Sequence, residues 1–313
     1  MGPRRKFVID TDAGIDDAQA ILMALKDEDV DIVAITTCHG NVDVDQVAKN
    51  VVRVLQVVKR SEIPIYNGCN TALLGEREDS THYHGMDGLG DSPDENPPDV
   101  SSVQSEHAVT KLIELSKQHQ DLTLICLAPL TNIAMAVRLD PEFSGRLAHC
   151  YVMGGAYSAK GNHSATAEFN FYADPEAADI VMKEMTCPVT LGPWEACIEN
   201  SFSWDWYDKF VGGETELCKL MKRLETKTLQ KYYAKEGSDY LTADQLLMAV
   251  ALDEDIATKT EQGICTVEKF GPVTRGQLCV DWSFSHFKHK KKINIVKKID
   301  KQKYSDLLMA ALR

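Results

Sequence analysis

The stretch Asp10-Thr11-Asp12-Ala13-Gly14-Ile15-Asp16-Asp17 decides how this chain folds, because it places four carboxylates within eight residues. It follows Phe7-Val8-Ile9, an apolar run typical of a buried parallel strand, and it precedes a helix-like segment at residues 18–25. The acids therefore lie where a strand ends and a helix begins, which is the edge where open α/β sheets bind ligands.

Four crowded like charges repel one another unless a cation or shared protons compensate them. Oxygen ligands at this density favour Ca²⁺ or Mg²⁺, so the stretch predicts a metal site. The alternative is a solvated acidic turn in which one residue caps the following helix.

Composition narrows the class of protein. The chain has 313 residues and a net charge of −13, which disfavours non-specific binding to nucleic acid or to an anionic membrane. No apolar run is long enough to span a bilayer, and no apolar segment follows the basic residues 4–6 as a secretory signal would require. The nine cysteines lack C-x-x-C spacing, which is typical of reduced thiols. We therefore expect a cytoplasmic protein with no nucleic-acid or membrane partner.

Strand-like and helix-like segments alternate through the first two thirds of the chain. Strands are predicted at residues 7–9, 30–37, 63–66, 122–127, 150–153 and 189–191, and helices at residues 18–25, 43–59, 105–118, 132–139 and from 174 onward. This alternation predicts a single α/β domain over residues 1–313, with an open, mostly parallel central sheet flanked by helices and a Rossmann-like core.

The last third of the chain has a different pattern. Residues 200–260 are predicted to be mostly helical, with the longest helix at 214–234, and strand-like alternation returns at 264–282 and 292–299 before a final helix at 305–312. We therefore expect a C-terminal helical portion. The Gly- and Asp-rich residues 68–100 form a long loop, and loops of that length in compact domains are usually functional or disordered.

Five motifs occur in an order that resembles one known family. The motifs are Asp10 to Asp17, Ala34-Ile35-Thr36-Thr37 with Gly40-Asn41, Pro129-Leu130-Thr131-Asn132-Ile133-Ala134, Val152-Met153-Gly154-Gly155, and Ala167-Glu168-Phe169-Asn170 followed by Asp174-Pro175-Glu176. A lone D-x-D would be weak evidence, but the ordered set resembles the inosine–uridine preferring nucleoside hydrolases from residue 6 to about residue 190. The resemblance implies a nucleoside hydrolase fold and hydrolysis of ribonucleosides to free base and ribose, in purine or pyrimidine salvage.

The resemblance also implies a cofactor and a homo-oligomer, either a dimer or a tetramer. A Ca²⁺ at the pocket floor would be held by the carboxylates of Asp12, Asp17 and Asp244 and by the Leu127 carbonyl, with Asp10 orienting these ligands from behind. Asp12 would be the general base that takes a proton from the attacking water.

The remaining implied roles concern the substrate. Asp16 and Asn170 would hold the ribose 2′-hydroxyl, and Asn41 would hydrogen-bond the base or the water. Met153 would pack on the ribose. The 5′ end of the sugar would lie against Asn162 and Glu168.

The sequence departs from the family pattern where the departing base is protonated. The residue before Asp244 is Ala243, which has no proton to donate, whereas family members commonly have His, Trp or Cys there. The substitutes considered are His39, His82, His84 and Cys38, of which His84 falls where the family has a pocket histidine.

Two alternatives to the hydrolase remain open at this stage. One is a catalytically weakened nucleoside- or ribose-binding protein, and the other is a phosphatase with Asp10 as nucleophile, which leaves Asp16 and Asp17 unexplained.

Val42 after Asn41 argues against the purine-specific subgroup. Trp204 and Trp206 could stack on a base, although packing is the favoured interpretation for both.

Overall fold

A twisted sheet of ten strands runs through the computed structural model, which describes residues 4–92, 98–229 and 239–313. The strands are β1 Arg5–Thr11, β2 Val30–Thr37, β3 Ile65–Asn67, β4 Val103–Gln104, β5 Leu122–Cys126, β6 His149–Met153, β7 Val189–Gly192, β8 Lys259–Val267, β9 Leu278–Asp281 and β10 Lys292–Lys298. Their order is β4-β3-β2-β1-β5-β6-β7-β10-β8-β9. The first eight strands in this order pair in parallel, and β8 and β9 extend the sheet in antiparallel fashion.

Helices cover both faces of this sheet. They are α1 Ile15–Lys26, α2 Val44–Val57, α3 Thr81–His84, α4 Ala108–Gln118, α5 Thr131–Leu139, α6 Phe169–Ala173, α7 Pro175–Glu184, α8 Trp194–Glu199, α9 Trp204–Val211, α10 Glu216–Thr228, α11 Asp244–Leu252 and α12 Lys301–Ala311. Single 3₁₀ turns occur at Val100–Ser102, Phe143–Arg146 and Glu254–Ile256.

The central strand β1 shows why the core has two halves. Successive side chains of a strand point to opposite faces, so Phe7 and Ile9 pack with α1, α2 and α9 to α12, while Val8 packs with α4, α5 and α7. All three side chains are fully buried, as expected for a strand covered on both faces.

Parallel pairing brings the ends of several strands together. Asp10 of β1 lies opposite Thr36 of β2 and Cys126 of β5, so the loops that follow these three strands leave the sheet side by side. The site residues after β1, β2 and β5 therefore converge, although Asp12 and Leu127 are more than one hundred residues apart in sequence.

The predicted α/β fold with a mostly parallel sheet is confirmed, and the errors concern short or polar elements. The strand β4 and the helices α3 and α6 were not predicted, since each has five residues or fewer and no usable periodicity. The strand β8 begins five residues before its predicted start, because its first four residues are polar and exposed. The helix predicted at 214–234 ends at Thr228, and residues 230–234 of that prediction lie outside the described residues.

No helix in the described part of the chain has both the length and the apolar composition that crossing a membrane requires.

We expect Leu124→Ala in β5 to lower the free energy of unfolding by about 2–5 kcal/mol, because it leaves a cavity in a fully packed core. Leu139→Ala is the matched control, since the Leu139 side chain is 64% exposed and should change stability by less than about 0.5 kcal/mol. Urea denaturation of both variants measures their free energies of unfolding. Equal losses in the two variants would contradict a core that is packed on both faces of the sheet.

Candidate active site

A cavity of about 450 Å³ opens at the carboxyl ends of β1, β2, β5 and β6. All but one of the site residues predicted from the sequence line it: Asp12, Asp16, Asp17, Asn41, His84, Leu127, Met153, Asn162, Glu168, Asn170, Ala243 and Asp244. The exception is Asp10, which is buried outside the lining. The fold therefore brings these residues together from seven separate segments of the chain.

The turn between β1 and α1 is shaped to present its acids. Ala13 has a positive φ of 46°, in the left-handed region that residues with a side chain seldom occupy, and the bend leads directly into α1. Asp17 is held by hydrogen bonds from the Thr11 hydroxyl and from the backbone N–H of Gly14, the latter at 2.8 Å. The backbone N–H of Asn41 donates to Asp12 Oδ2 at 2.9 Å, which fixes this carboxylate against the loop after β2.

Three of the acids form a compact cluster. Carboxylate oxygens of Asp16, Asp17 and Asp244 all lie within 4.8 Å of one another. Burial raises the pKa of Asp17 to about 6, and the negative charge of Asp16 adds to this. Burial and the neighbouring acids also raise the pKa values of Asp12 and Asp244 well above the ordinary range. Such repulsion among buried oxygen donors is what a bound cation relieves, so the donor set fits a hard divalent metal.

Asp10 lies directly behind this cluster. Its Oδ1 accepts hydrogen bonds from Thr36 Oγ1 at 2.5 Å and from Asn132 Nδ2 at 2.8 Å, whereas its Oδ2 has no hydrogen-bond partner among the described residues. Burial raises its pKa to about 7. These hydrogen bonds join Asp10 to β2 and α5, and its role in orienting the acids stays a prediction.

The opposite wall is built around the short helix α6. The Glu168 carboxylate caps this helix by accepting hydrogen bonds from the backbone N–H groups of Asn170 and Phe171, and it also accepts one from Gly155 N–H. Burial raises the pKa of Glu168 to about 7. Asn162 Oδ1 accepts from the backbone N–H of Phe169 at 2.9 Å, which fixes Asn162 at the same wall.

Asn170 connects this wall to the floor. Its Nδ2 donates to the carbonyl oxygens of Leu127 at 2.8 Å and Met153 at 3.3 Å, so the ends of β5 and β6 are held together at the cavity. Because the amide nitrogen makes both contacts, the Asn170 side chain has a fixed orientation at the cavity.

His84 lies between Asp16 and the start of α1. The backbone N–H of Ile15 donates to His84 Nδ1 at 3.2 Å, and His84 Nε2 is 3.8 Å from Asp16 Oδ1. A ring nitrogen that accepts a hydrogen bond carries no proton, so the neutral tautomer has its proton on Nε2, facing Asp16. Burial lowers the pKa of His84, with partial opposition from Asp16.

The other proposed proton donors lie in different places. His82 lines the cavity, as His84 does, whereas Cys38 and His39 are not among its described lining residues. His39 Nε2 bonds to Thr131 Oγ1 at 2.9 Å, and burial lowers its pKa to about 4. Burial raises the pKa of Cys38 well above its ordinary value.

Trp204 and Trp206 are likewise outside the described lining of the cavity. Trp206 stacks on Phe202 at 3.8 Å between ring centroids, and its Nε1 donates to Ser305 Oγ at 2.6 Å. Trp204 makes edge contacts with Tyr207 and Tyr240. Both tryptophans thus pack within the helical part of the chain.

Several lining residues were not identified from the sequence, among them Tyr83, Trp194, Glu225, Thr228, Tyr240 and Gln245. For one of these residues, Glu225, the sequence pattern does indicate an unusual position. Glu225 lies on the buried face of α10 together with Cys218, Met221 and Leu224, and an acid on an apolar helix face is unusual enough to indicate a special role.

Several contacts join α10 to α3, which carries His84, and to the loop that follows α3. Thr228 Oγ1 donates to the Tyr83 carbonyl at 2.8 Å. Gly90, with a positive φ of 75°, packs so closely on the helix that an added Cβ would lie 2.0 Å from the Leu224 carbonyl oxygen. Only glycine fits at this position.

The fold and this site together define an enzyme with a mostly parallel α/β sheet and a buried acidic centre at the floor of a cavity. The chain belongs to the family described as inosine-uridine preferring nucleoside hydrolase, whose family model matches residues 7–306. Members of this family are in general metal-dependent hydrolases, and the chain is accordingly a hydrolase of the N-glycosidic bond of ribonucleosides.

Individual relatives agree with this assignment. The chain is 33% identical to the probable uridine nucleosidase 2 of Arabidopsis thaliana, over 88% of this chain and 85% of the relative. It is 32% identical to the inosine-uridine preferring nucleoside hydrolase of Leishmania major, over 98% and 97%. Among solved structures, an inosine-guanosine nucleoside hydrolase superposes with a TM-score of 0.91 at 29% identity, over 99% and 98% of the two chains. The binding-protein and phosphatase alternatives receive no support from these comparisons.

The acidic cluster predicts a characteristic pH dependence of stability. The pKa values of Asp17 and Asp10 are about 6 and about 7 in the folded chain, above the ordinary value of 3.8. The folded state therefore binds more protons than the unfolded state in this interval, and the metal-free protein loses stability as pH rises from about 4 to about 7.

A divalent cation that occupies the cluster should replace these protons and flatten the dependence. The measurement is the melting temperature at several pH values between 5 and 8, with a chelator and with the cation. Asp244→Asn is the control, because it removes one acid and should reduce the effect of the cation. Parallel curves with and without the cation in the unsubstituted protein would contradict a metal at this cluster.

Proposed function

We propose that this chain is a Ca²⁺-dependent ribonucleoside hydrolase that releases free base and ribose. The observation that carries the proposal is that Asp12, Asp17, Asp244 and Leu127 line one cavity. Carboxylate oxygens of Asp17 and Asp244, together with one of Asp16, lie within 4.8 Å of one another there. The proposal includes a single domain over residues 1–313, a homo-oligomer, a cytoplasmic location and a role in nucleoside salvage. One sheet that joins strands from Arg5 to Lys298 supports the single domain.

Asp12, Asp17, Asp244 and the carbonyl oxygen of Leu127 would hold the Ca²⁺. An all-oxygen donor set of this kind suits Ca²⁺ because this ion accepts six to eight oxygen ligands in flexible geometry. The bound cation would supply positive charge that neutralises the cluster and lowers the pKa of a nearby water.

Asp12 would act as the general base on the water that attacks C1′ of the ribose. The hydrogen bond from Asn41 N–H to Asp12 Oδ2 fixes the carboxylate in the cavity, as a general base requires. Cleavage of an N-glycosidic bond builds positive charge on the sugar ring, and carboxylates beside the ring stabilise that charge as it develops.

The ribose would lie between the acids and the α6 wall. Asp16 and Asn170 would bind the 2′-hydroxyl, with His84 facing Asp16 across 3.8 Å. Asn162 and Glu168 at the opposite wall would bind the 5′ end of the sugar, and Met153 would pack on the ring. Asn41, whose Oδ1 accepts a hydrogen bond from the Ser80 hydroxyl, would contact the base or the water through its amide nitrogen.

The direct experiment measures ribose release from a panel of nucleosides that includes uridine, inosine, cytidine and adenosine. We expect release with Ca²⁺ and strong loss of activity in a chelator, with recovery when Ca²⁺ is restored. Full activity in the chelator, with metal removal verified by elemental analysis, would contradict the Ca²⁺ requirement. The absence of ribose from every nucleoside would contradict the hydrolase.

Asp12→Asn should lower turnover at least about 100-fold while the fold is retained, because general-base catalysis alone contributes ~10²–10⁴-fold. Asp208→Asn on the exposed face of α9 is the control and should leave turnover unchanged. Circular dichroism reports whether each variant is folded. An Asp12→Asn variant with more than about a tenth of the original activity would exclude the assigned role.

A further inference from the structure

A buried acid lies in the cavity wall near Ala243. We call it and its hydrogen-bonded neighbours the Glu225 cluster, which consists of Gln19, Tyr207, Glu225, Tyr240 and Gln245. Glu225, Tyr240 and Gln245 also line the cavity. The cluster lies outside the set of acids assigned above to the metal.

Hydrogen bonds connect Ala243 to Glu225 in three steps. The backbone N–H of Ala243 donates to Gln245 Oε1 at 2.9 Å, and Gln245 Nε2 donates to Gln19 Oε1 at 2.6 Å. Gln19 Nε2 in turn donates to Glu225 Oε1 at 3.0 Å. Glu225 and Ala243 thus line the same cavity and are joined by this chain of hydrogen bonds, and the resemblance leads us to expect a proton donor in that cavity.

The Glu225 carboxyl group is held in place by three donors. Oε1 accepts from Tyr240 Oη at 2.5 Å as well as from Gln19, and Oε2 accepts from Tyr207 Oη at 2.8 Å. A carboxyl group has about four acceptor positions, and within the described part of the chain these bonds occupy three of them. The remaining position on Oε2 is where a proton would be carried.

His84, one of the histidines that line the cavity, is less suited to donate a proton. To become a cation it would have to protonate Nδ1, which already accepts the hydrogen bond from Ile15 N–H. Its neutral form has its proton on Nε2, facing the Asp16 carboxylate. His84 is thus placed to position Asp16.

We propose that Glu225 is the catalytic acid that protonates the departing base in place of the residue missing at position 243. The inference rests on the hydrolase activity proposed above. As the C1′–N bond breaks, its electron pair goes to the base nitrogen, which takes the proton from Glu225 Oε2. The attacking water forms the C1′–O bond and loses its proton to Asp12. After release of ribose and base, Asp12 returns its proton to solvent and Glu225 takes one back.

The electrostatic surroundings agree with this geometry. Burial raises the pKa of Glu225 to about 7, and the charge of Asp16 adds to the rise, while the three hydrogen bonds oppose it. Among the described residues, the titratable groups that act on Glu225 are Tyr207 of α9, Tyr240 before α11 and Asp16 of α1. The acid form is the active form, so kcat/KM for a nucleoside should fall as pH rises through this pKa.

The decisive experiment compares two leaving groups. p-Nitrophenyl riboside releases a phenolate that needs no proton, whereas uridine and inosine release bases that do. With Ca²⁺ present, we expect Glu225→Gln to lower kcat for uridine or inosine about 100-fold, the lower end for general acid catalysis, and to change kcat for p-nitrophenyl riboside less than about threefold. Equal losses on both substrates, or no loss on either, would overturn the proposal.

Glu195→Gln is the matched control. Glu195 is also buried and accepts hydrogen bonds from Ser158 N–H and Oγ at 2.6 Å, but it is outside the described lining of the cavity. Its substitution should affect both substrates to the same degree. Selectivity for p-nitrophenyl riboside in this variant as well would show that the test does not report proton donation, and would overturn the assignment to Glu225.

Tyr207→Phe tests the proposal even if Glu225→Gln does not fold. Tyr207→Phe removes a hydrogen bond to the carboxylate, so the alkaline limb of kcat/KM for uridine should move to higher pH, while p-nitrophenyl riboside should show no such limb. An unmoved limb would overturn the proposal. Where Glu225→Gln does fold, adding the substitution Ala243→His should restore activity on uridine far more than on p-nitrophenyl riboside. Failure to restore activity on uridine would count against the loss of a proton donor as the cause of the defect.

The two proposals fail in different ways. If the unsubstituted protein hydrolyses no riboside, the hydrolase itself is contradicted, and with it the inference that rests on it. If both substrates are hydrolysed and Glu225→Gln shows no selectivity, only the role of Glu225 is contradicted.

Discussion

The structure depends on holding several carboxylates close together in a place where water cannot screen them. Asp12 and Asp17 lie near the start of the sequence and Asp244 more than 220 residues further on, and burial makes their negative charges costly. A protein retains such an arrangement only when a cation or a proton compensates it. The carboxylates of these three acids therefore repel one another, and binding of a metal would relieve this repulsion.

The surrounding hydrogen bonds make this arrangement possible. Backbone N–H groups of Gly14 and Asn41 and the Thr11 hydroxyl aim at the carboxylates and partly offset the loss of hydration. On the facing wall the Glu168 carboxylate is satisfied in the same way by the start of α6. The acids of the cavity thus differ in what compensates their charge. The carboxylates near the predicted metal site need a cation as well as these hydrogen bonds, whereas Glu168 accepts hydrogen bonds from three backbone N–H groups.

The sequence was most informative where function and periodicity coincide. The acids after β1 follow an apolar run and precede a helix, so both their location and their chemistry could be read from adjacent residues. The lining residues in the five ordered motifs were located through the family resemblance. Asp244 was found through the family resemblance, because nothing in its own neighbourhood indicates a ligand.

What the sequence did not show depends on contacts between distant segments. The role proposed for Glu225 requires Gln19 and Tyr207 as neighbours, and their sequence separations from Glu225 are 206 and 18 residues. The preference of His84 for one tautomer depends on the N–H of Ile15, which is 69 residues away. The helices α3 and α6 are too short to have a period, so their formation depends on the walls that they complete.

Gly90 packs the loop after His84 against α10, and His84 and Glu225 of these two segments both line the cavity. Its contact with the Leu224 carbonyl leaves no room for even a methyl group, and Thr228 bonds to the same loop one helical turn further on. A displacement of the loop that bears His84 must therefore carry along the helix that bears Glu225. Insertions between residues 84 and 90 would disturb these contacts, although the segment is a loop. Among related proteins, the length of this loop should therefore vary less than its amino-acid composition.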